Sequence, residues 1–171
     1  MGDGQFSGIL KPFFDELEKY VDGVHELNDG SNEINIAALE KEMNVKLPGI
    51  YIDFLKVCNG GELFSGGTIL GKVYDPSEGS LKQGVFYLNR GNKPEHKWPG
   101  MPSCYFTIAD TNYGDIICIN LNNSDGQDSE IVRWSHESSK VSRRWDGLLE
   151  WLMDESSQGA MIFDYEGNLK D

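Results

Sequence analysis

The sequence predicts an α+β fold in which N-terminal helices precede an antiparallel sheet of about six strands and one C-terminal helix. In the first half of the chain, apolar residues recur at spacings of three and four, as along one face of a helix. In the second half, short apolar or alternating runs are separated by Gly, Asn, Asp or Pro, which is typical of strands and turns. Two of the connections look like hairpins, which join antiparallel neighbours, whereas parallel strands would need a crossover, so we expect mostly antiparallel pairing.

Three helices are expected before the sheet. The apolar periodicity predicts the first helix within residues 9–24. After a turn, Ser31 or Asn32 can cap a second helix, because both side chains accept hydrogen bonds from a helix N-terminus. A third helix begins at Pro48, and we expect Asn59-Gly60-Gly61 to end it, since glycine suits the left-handed conformation found after helices.

The strands are predicted from apolar or alternating runs at residues 62–64, 68–74, 85–88, 103–109, 115–121 and 130–134. Residues 112–115 and 122–129 have the composition of hairpin connections. The last helix is expected at residues 145–153, where apolar side chains share one face. The tail that follows is open to two interpretations, an added edge strand or a frayed end.

Charge is the strongest compositional signal, because 28 acidic and 15 basic residues give a net charge of −13. A negative field repels nucleic acids and anionic membranes, so we expect neither as a direct partner. It attracts a basic protein partner. No apolar run reaches the length of about 18 residues that a membrane span needs, and the N-terminus lacks a signal-peptide pattern. With three widely spaced cysteines in apolar surroundings, we expect a cytoplasmic protein without disulfides.

No stretch of the sequence completes a catalytic motif. Residues 66–72 match most of a phosphate-binding loop, but Val73 replaces the Ser or Thr that holds magnesium. The three histidines are scattered, so no metal site or cofactor is expected. Asp110, Asp115 and Glu40 are the best candidates for acid–base chemistry, and a hydrolase that uses Asp110 and Asp115 remains an alternative.

A resemblance to a known family rests on three stretches of the sequence. Residues 47–55 (LPGIYIDFL) followed by Asn59-Gly60-Gly61 resemble the LPxxYxxFLxxxNGG signature of SMI1/KNR4-like proteins, the SUKH superfamily. Residues 105–110 and 114–119 are similar to the family's second block, and the helix at 145–153 stands where the family has its last helix. The likeness covers residues 32–155 of what we take to be one domain over residues 1–171, with a helix added before it and a tail after it.

The resemblance implies a curved sheet and a protein without catalytic activity. Bacterial members of the family resemble immunity proteins that neutralise a cognate toxin, often a nuclease, and fungal members resemble regulatory scaffolds. We therefore expect an immunity protein with a basic toxin as partner; a scaffold with several partners is the alternative. The expected contact surface combines acids for electrostatic steering with aromatic anchors, namely Glu40, Tyr51, Glu62, Trp98, Asp110 and Asp115.

Overall fold

The computed structural model describes residues 8–73 and 98–171, and in this part of the chain seven strands form one antiparallel sheet. Each strand pairs with the next one along the chain, and the curved sheet does not close into a barrel. The strands are β1 (Glu26–Asp29), β2 (Cys58–Leu63), β3 (Thr68–Leu70), β4 (Tyr105–Thr111), β5 (Ile116–Ser124), β6 (Ser129–Ser135) and β7 (Lys140–Trp145). The helices in the same residues are α1 (Lys11–Leu17), α2 (Glu33–Met43), α3 (Gly49–Val57) and α4 (Leu148–Ile162).

The two faces of the sheet are buried by different groups of side chains. On one face, here called the helix face, residues such as Phe106, Ile117 and Ile131 join the main hydrophobic core with the apolar sides of the four helices. On the opposite face, here called the far face, a second buried cluster contains Ile116 and Trp134. Because neighbouring residues of a strand point to opposite faces, Ile116 and Ile117 contribute to different clusters.

A bulge in β4 determines which face the end of that strand presents. Thr107 pairs with Cys118 and Ala109 pairs with Ile117, so that Ile108 is the extra residue. Ile108 and Ala109 both belong to the helix-face core, and the alternation restarts after them. Asp110 consequently points to the far face, although strict alternation from the start of β4 would have turned it toward the helices.

The α+β class, the antiparallel pairing, the curved sheet and the order of helices and strands are confirmed. Asn32 caps α2 as one of the two expected residues, since its side chain accepts a hydrogen bond from the Asn35 N–H at 2.8 Å. Both predicted hairpins join antiparallel neighbours, β4 with β5 and β5 with β6. The strand predicted at residues 85–88 lies outside the described residues.

Other boundaries differ from the prediction. The first helix ends at Leu17, and strand β1 follows where only a break was expected. Strand β7 was not predicted, and the last helix runs from Leu148 to Ile162 instead of over residues 145–153. Asn59-Gly60-Gly61 belongs to β2 and does not end α3. Gly61 has a φ of 125°, and a Cβ there would lie 2.2 Å from the Glu26 carbonyl oxygen, so the close approach of β1 requires glycine.

Candidate functional site

Four of the six predicted site residues converge at one end of the sheet. The β2–β3 turn, the β4–β5 turn and the β6–β7 hairpin all lie there, and we call this region the turn end. The Asn112 N–H donates to the Gly67 carbonyl oxygen at 3.1 Å, which joins the first two turns. The His136 N–H donates to Asp115 at 3.2 Å, which joins the second turn to the hairpin.

The far face carries a line of three carboxylates close to the turn end. Glu26 lies opposite Glu62, Glu62 lies opposite Ile69, and Ile69 lies opposite Asp110, so all four side chains share one cross-strand row. We call Glu26, Glu62 and Asp110 the acidic row. None of the three forms an ion pair with the described part of the chain.

Asp110 is ionised at an energetic cost. It is partly buried, and the loss of hydration raises the pKa of its carboxyl group above the usual value. No described cation lies near enough to offset this cost. As far as the described residues go, no cation offsets the negative charge of the acidic row, and an external cation could neutralise it.

Asp115 is not a free acid, because two basic side chains hold it. Its carboxylate accepts hydrogen bonds from Arg133 Nε at 2.8 Å and pairs with His136 Nδ1 at 2.9 Å. Burial opposes ionisation, but the hydrogen bonds from His136 and Arg133 outweigh it and hold the pKa of Asp115 below its ordinary value. Trp98 lies beside this network, with its ring centre 6.3 Å from that of His136, and 40% of its surface is exposed.

An Asp–His pair of this kind can orient an imidazole for proton transfer. Nucleophilic catalysis would also need a hydroxyl or thiol group within hydrogen-bond reach of the ring. In residues 8–73 and 98–171, the hydrogen bonds of the His136 side chain lead to Asp115 alone. The same residues contain no group of three or more side chains suited to hold a metal ion.

A cleft of about 90 Å³ opens on the helix side of the turn end. Its walls come from β3, β6, the β4–β5 turn and α4, and include Thr68, Tyr113, Arg133, Glu155, Gln158 and Ile162. Glu155 accepts hydrogen bonds from Thr68 Oγ1 at 2.8 Å and from Trp151 Nε1 at 3.1 Å. It has no cation within salt-bridge distance among the described residues.

The rim of this cleft exposes apolar surface. Tyr113 is 73% exposed and Ile162 is 49% exposed. Aromatic residues exposed in this way are overrepresented at the energetic centres of protein interfaces. The sequence did not predict Glu26, Tyr113 or Glu155 as site residues. Only their residue types, acidic or aromatic, indicated that they could contact a partner.

Glu40 and Tyr51 lie away from the turn end and have structural contacts. The Glu40 carboxylate accepts the Leu47 N–H at 2.8 Å, which fixes the connection between α2 and α3. Tyr51 is 2% exposed and stacks on Phe54, and burial raises the pKa of its hydroxyl group. Tyr51 is too deeply buried to offer surface to a partner, and the Glu40 carboxylate is engaged within the fold, so we leave both out of the proposed contact surface.

Comparison with known proteins agrees with this fold. The SMI1 / KNR4 family (SUKH-1) matches residues 30–154, which is most of the chain. The chain belongs to this family. A crystal structure of a protein from Pseudomonas syringae pv. tomato superimposes with a TM-score of 0.61 at 16% sequence identity, covering 85% of this chain and 96% of that one. At this identity the likeness shows the fold alone. Among curated proteins, no sequence matches significantly.

The family signature in this SMI1/KNR4 protein has a physical basis. Tyr51, Phe54 and Leu55 are buried on the inner side of α3, and Pro48 begins that helix. Gly60 and Gly61 let β2 pass close to its neighbouring strands. The signature therefore specifies packing, whereas the acidic row and the cleft lie at other positions of the chain. No helix of the described residues is long and apolar enough to cross a membrane.

Proposed function

We propose that this SMI1/KNR4 protein is a non-catalytic binding module that neutralises a basic toxin by covering its cationic surface. Membership of a family that generally contains binding and immunity proteins supports this function. The net charge of −13 favours a basic partner. Toxins that cleave nucleic acids bind phosphates and so carry cationic grooves, which an acidic protein can occupy.

The observation that carries the proposal is the acidic row. Like charges directly opposite each other on neighbouring strands destabilise a sheet, and Glu26 faces Glu62 in this arrangement. Two positions along the same row, Asp110 adds a carboxylate that burial makes harder to ionise. A basic partner would relieve both costs on binding, which supports assigning these three side chains to the contact surface.

The experiment pairs this protein with a basic protein encoded beside it, and measures rescue of cell growth and association kinetics. The test variant is Glu62→Gln/Asp110→Asn. The control variant, Glu42→Gln/Asp53→Asn, changes the net charge equally at exposed positions on α2 and α3, away from the far face.

We expect the association rate constant at low salt to fall about tenfold or more in the test variant and less than about twofold in the control. Equal losses in both variants would refute a role for the acidic row. Binding weaker than about 1 μM to every basic candidate would refute toxin neutralisation, since an inhibitor must outcompete substrate. Several weak partners without rescue would instead favour the scaffold alternative.

A further inference from the structure

We infer that the cleft at the turn end receives one lysine or arginine side chain of the basic partner, with Glu155 as its counter-charge. This inference rests on the proposed function, because it names the kind of group by which the partner is held. It concerns the helix side of the turn end, whereas the acidic row lies on the far face.

Charge complementarity selects a cation as the occupant. Two ionised side chains of opposite sign line the cleft, Glu155 and Arg133. The charge of Arg133 is offset by Asp115, whose carboxylate lies 2.8 Å from Nε. Within the described residues, the hydrogen bonds to Glu155 come from neutral donors, Thr68 and Trp151. Among the described residues that line the cleft, Glu155 is therefore the charged side chain that no ion pair offsets.

The hydrogen bonds of Glu155 prepare it for this role. One carboxylate oxygen is held by a hydroxyl group from β3 and the other by an indole N–H from α4, so the side chain is fixed between two elements. Each carboxylate oxygen has a further lone pair available. A fixed carboxylate loses little side-chain entropy when a cation binds.

The dimensions and rim of the cleft suit the end of one long basic side chain. A volume of about 90 Å³ holds a few water molecules, which is too small for a peptide segment. The methylene groups of lysine or arginine can pack against Ile162 while the charged group reaches the carboxylate. The exposed Tyr113 ring at the rim can contribute a cation–π contact.

The test uses the full-length protein and small blocked amino acids, so it needs no partner. Nα-acetyl-lysinamide is titrated while NMR shifts of the Ile162 methyl groups and the Tyr113 ring are followed. Nα-acetyl-norleucinamide is the neutral probe, and Nα-acetyl-glutamate α-amide is the anionic probe. We expect saturable shifts with the cationic probe and weaker or no saturation with the other two.

Four variants decide between a cationic and an anionic occupant. Glu155→Gln should weaken binding of the lysine probe about tenfold or more. Arg133→Gln should strengthen it, because the substitution removes a positive charge from the wall of the cleft. Tyr113→Ala, at an exposed turn position, should weaken binding of the lysine probe without loss of folding. Glu137→Gln, an exposed acid in the β6–β7 hairpin, is the matched control and should change nothing.

The inference is overturned if the anionic probe binds and Arg133→Gln abolishes that binding. It is also overturned if Glu155→Gln leaves binding of the lysine probe unchanged. It is also overturned if the cationic and neutral probes produce the same shifts. Because these titrations are independent of any toxin, their failure would leave the acidic-row experiment standing. Failure to find a basic partner would equally leave the titration result intact.

Discussion

Replacing Glu62 by glutamine is expected to stabilise the isolated protein while it slows association with a basic partner. Glu62 is the middle carboxylate of the acidic row, with Glu26 directly opposite on β1 and Asp110 two strands away on β4. In the described residues, no cation forms an ion pair with it. The substitution keeps the shape of the side chain and removes two repulsive interactions in the folded protein.

The size of the effect follows from strand spacing. Opposite side chains are roughly 5.5 Å apart, which gives about 0.5–0.8 kcal/mol of repulsion between Glu26 and Glu62 in a water-like medium. Two strand spacings place Asp110 roughly 10 Å away and add about 0.4 kcal/mol. Glu62→Gln should therefore raise the free energy of unfolding by about 1 kcal/mol at low ionic strength. At 1 M salt most of this gain should vanish, because the screening length falls to about 3 Å.

Urea unfolding at pH 7 in 10 mM and 1 M NaCl measures both the gain and its salt dependence. Glu42→Gln is the control, because it removes the same charge from an exposed position on α2. We expect a change within about 0.5 kcal/mol for this control. A loss of stability in Glu62→Gln, or a gain of equal size at both salt concentrations, would contradict the electrostatic account of the row.

Three further predictions concern single substitutions followed by chemical unfolding. The folded state raises the pKa of Asp110, so its protonated form contributes stability at low pH that is lost as the pH rises through the folded pKa. Asp110→Asn should therefore be more stable than the parent protein at pH 7 and equally stable at pH 3. The folded state lowers the pKa of Asp115, so the stability that its carboxylate contributes is present above about pH 4 and lost below it. Asp115→Asn should therefore lower the free energy of unfolding by about 1–3 kcal/mol at pH 7 and make stability less dependent on pH in the acid range. A Cβ at Gly159 would lie 2.2 Å from the Phe64 ring, so Gly159→Ala should lower both the melting temperature and the unfolding free energy, by about 1–3 kcal/mol, despite the better helix propensity of alanine.

The elements that the sequence predicts correctly have either a run of apolar residues or apolar residues at helical spacing. Strands β4 to β6 each carry a run of buried apolar residues, and the buried residues of α2 and α3 recur at helical spacing. The two edge strands were missed because they lack that pattern. β7 has the sequence KVSRRW and β1 the sequence ELND, and both expose most of their side chains. Charged residues at a sheet edge discourage pairing with other chains. The same charged residues interrupt the apolar pattern from which a strand is predicted.

The candidate site depended on facts that a local pattern does not contain. The β4 bulge at Ile108 determines to which face of the sheet Asp110 points, and the neighbouring residues do not predict a bulge there. Glu155 was outside the predicted helix, which was expected to end at residue 153. The buried positions that continue α4 are small, Ser156 and Gly159, because the helix approaches Phe64 closely there. A prediction that follows only large apolar residues therefore ends the helix where its buried residues become small.

In the proposed function, the acidic row and the cleft lie on opposite faces of the sheet at the turn end and act over different distances, so each would contribute to a different step of binding. Charges on the row are exposed enough to act across solvent, so they affect the rate of encounter and lose that effect with salt. Glu155 lies inside a cleft and would contribute only after the partner is in place, so we expect its effect on the dissociation rate. Attraction alone would favour any basic protein. A cleft that accepts one correctly placed cation adds a geometric requirement, and the discrimination between basic partners follows from that requirement.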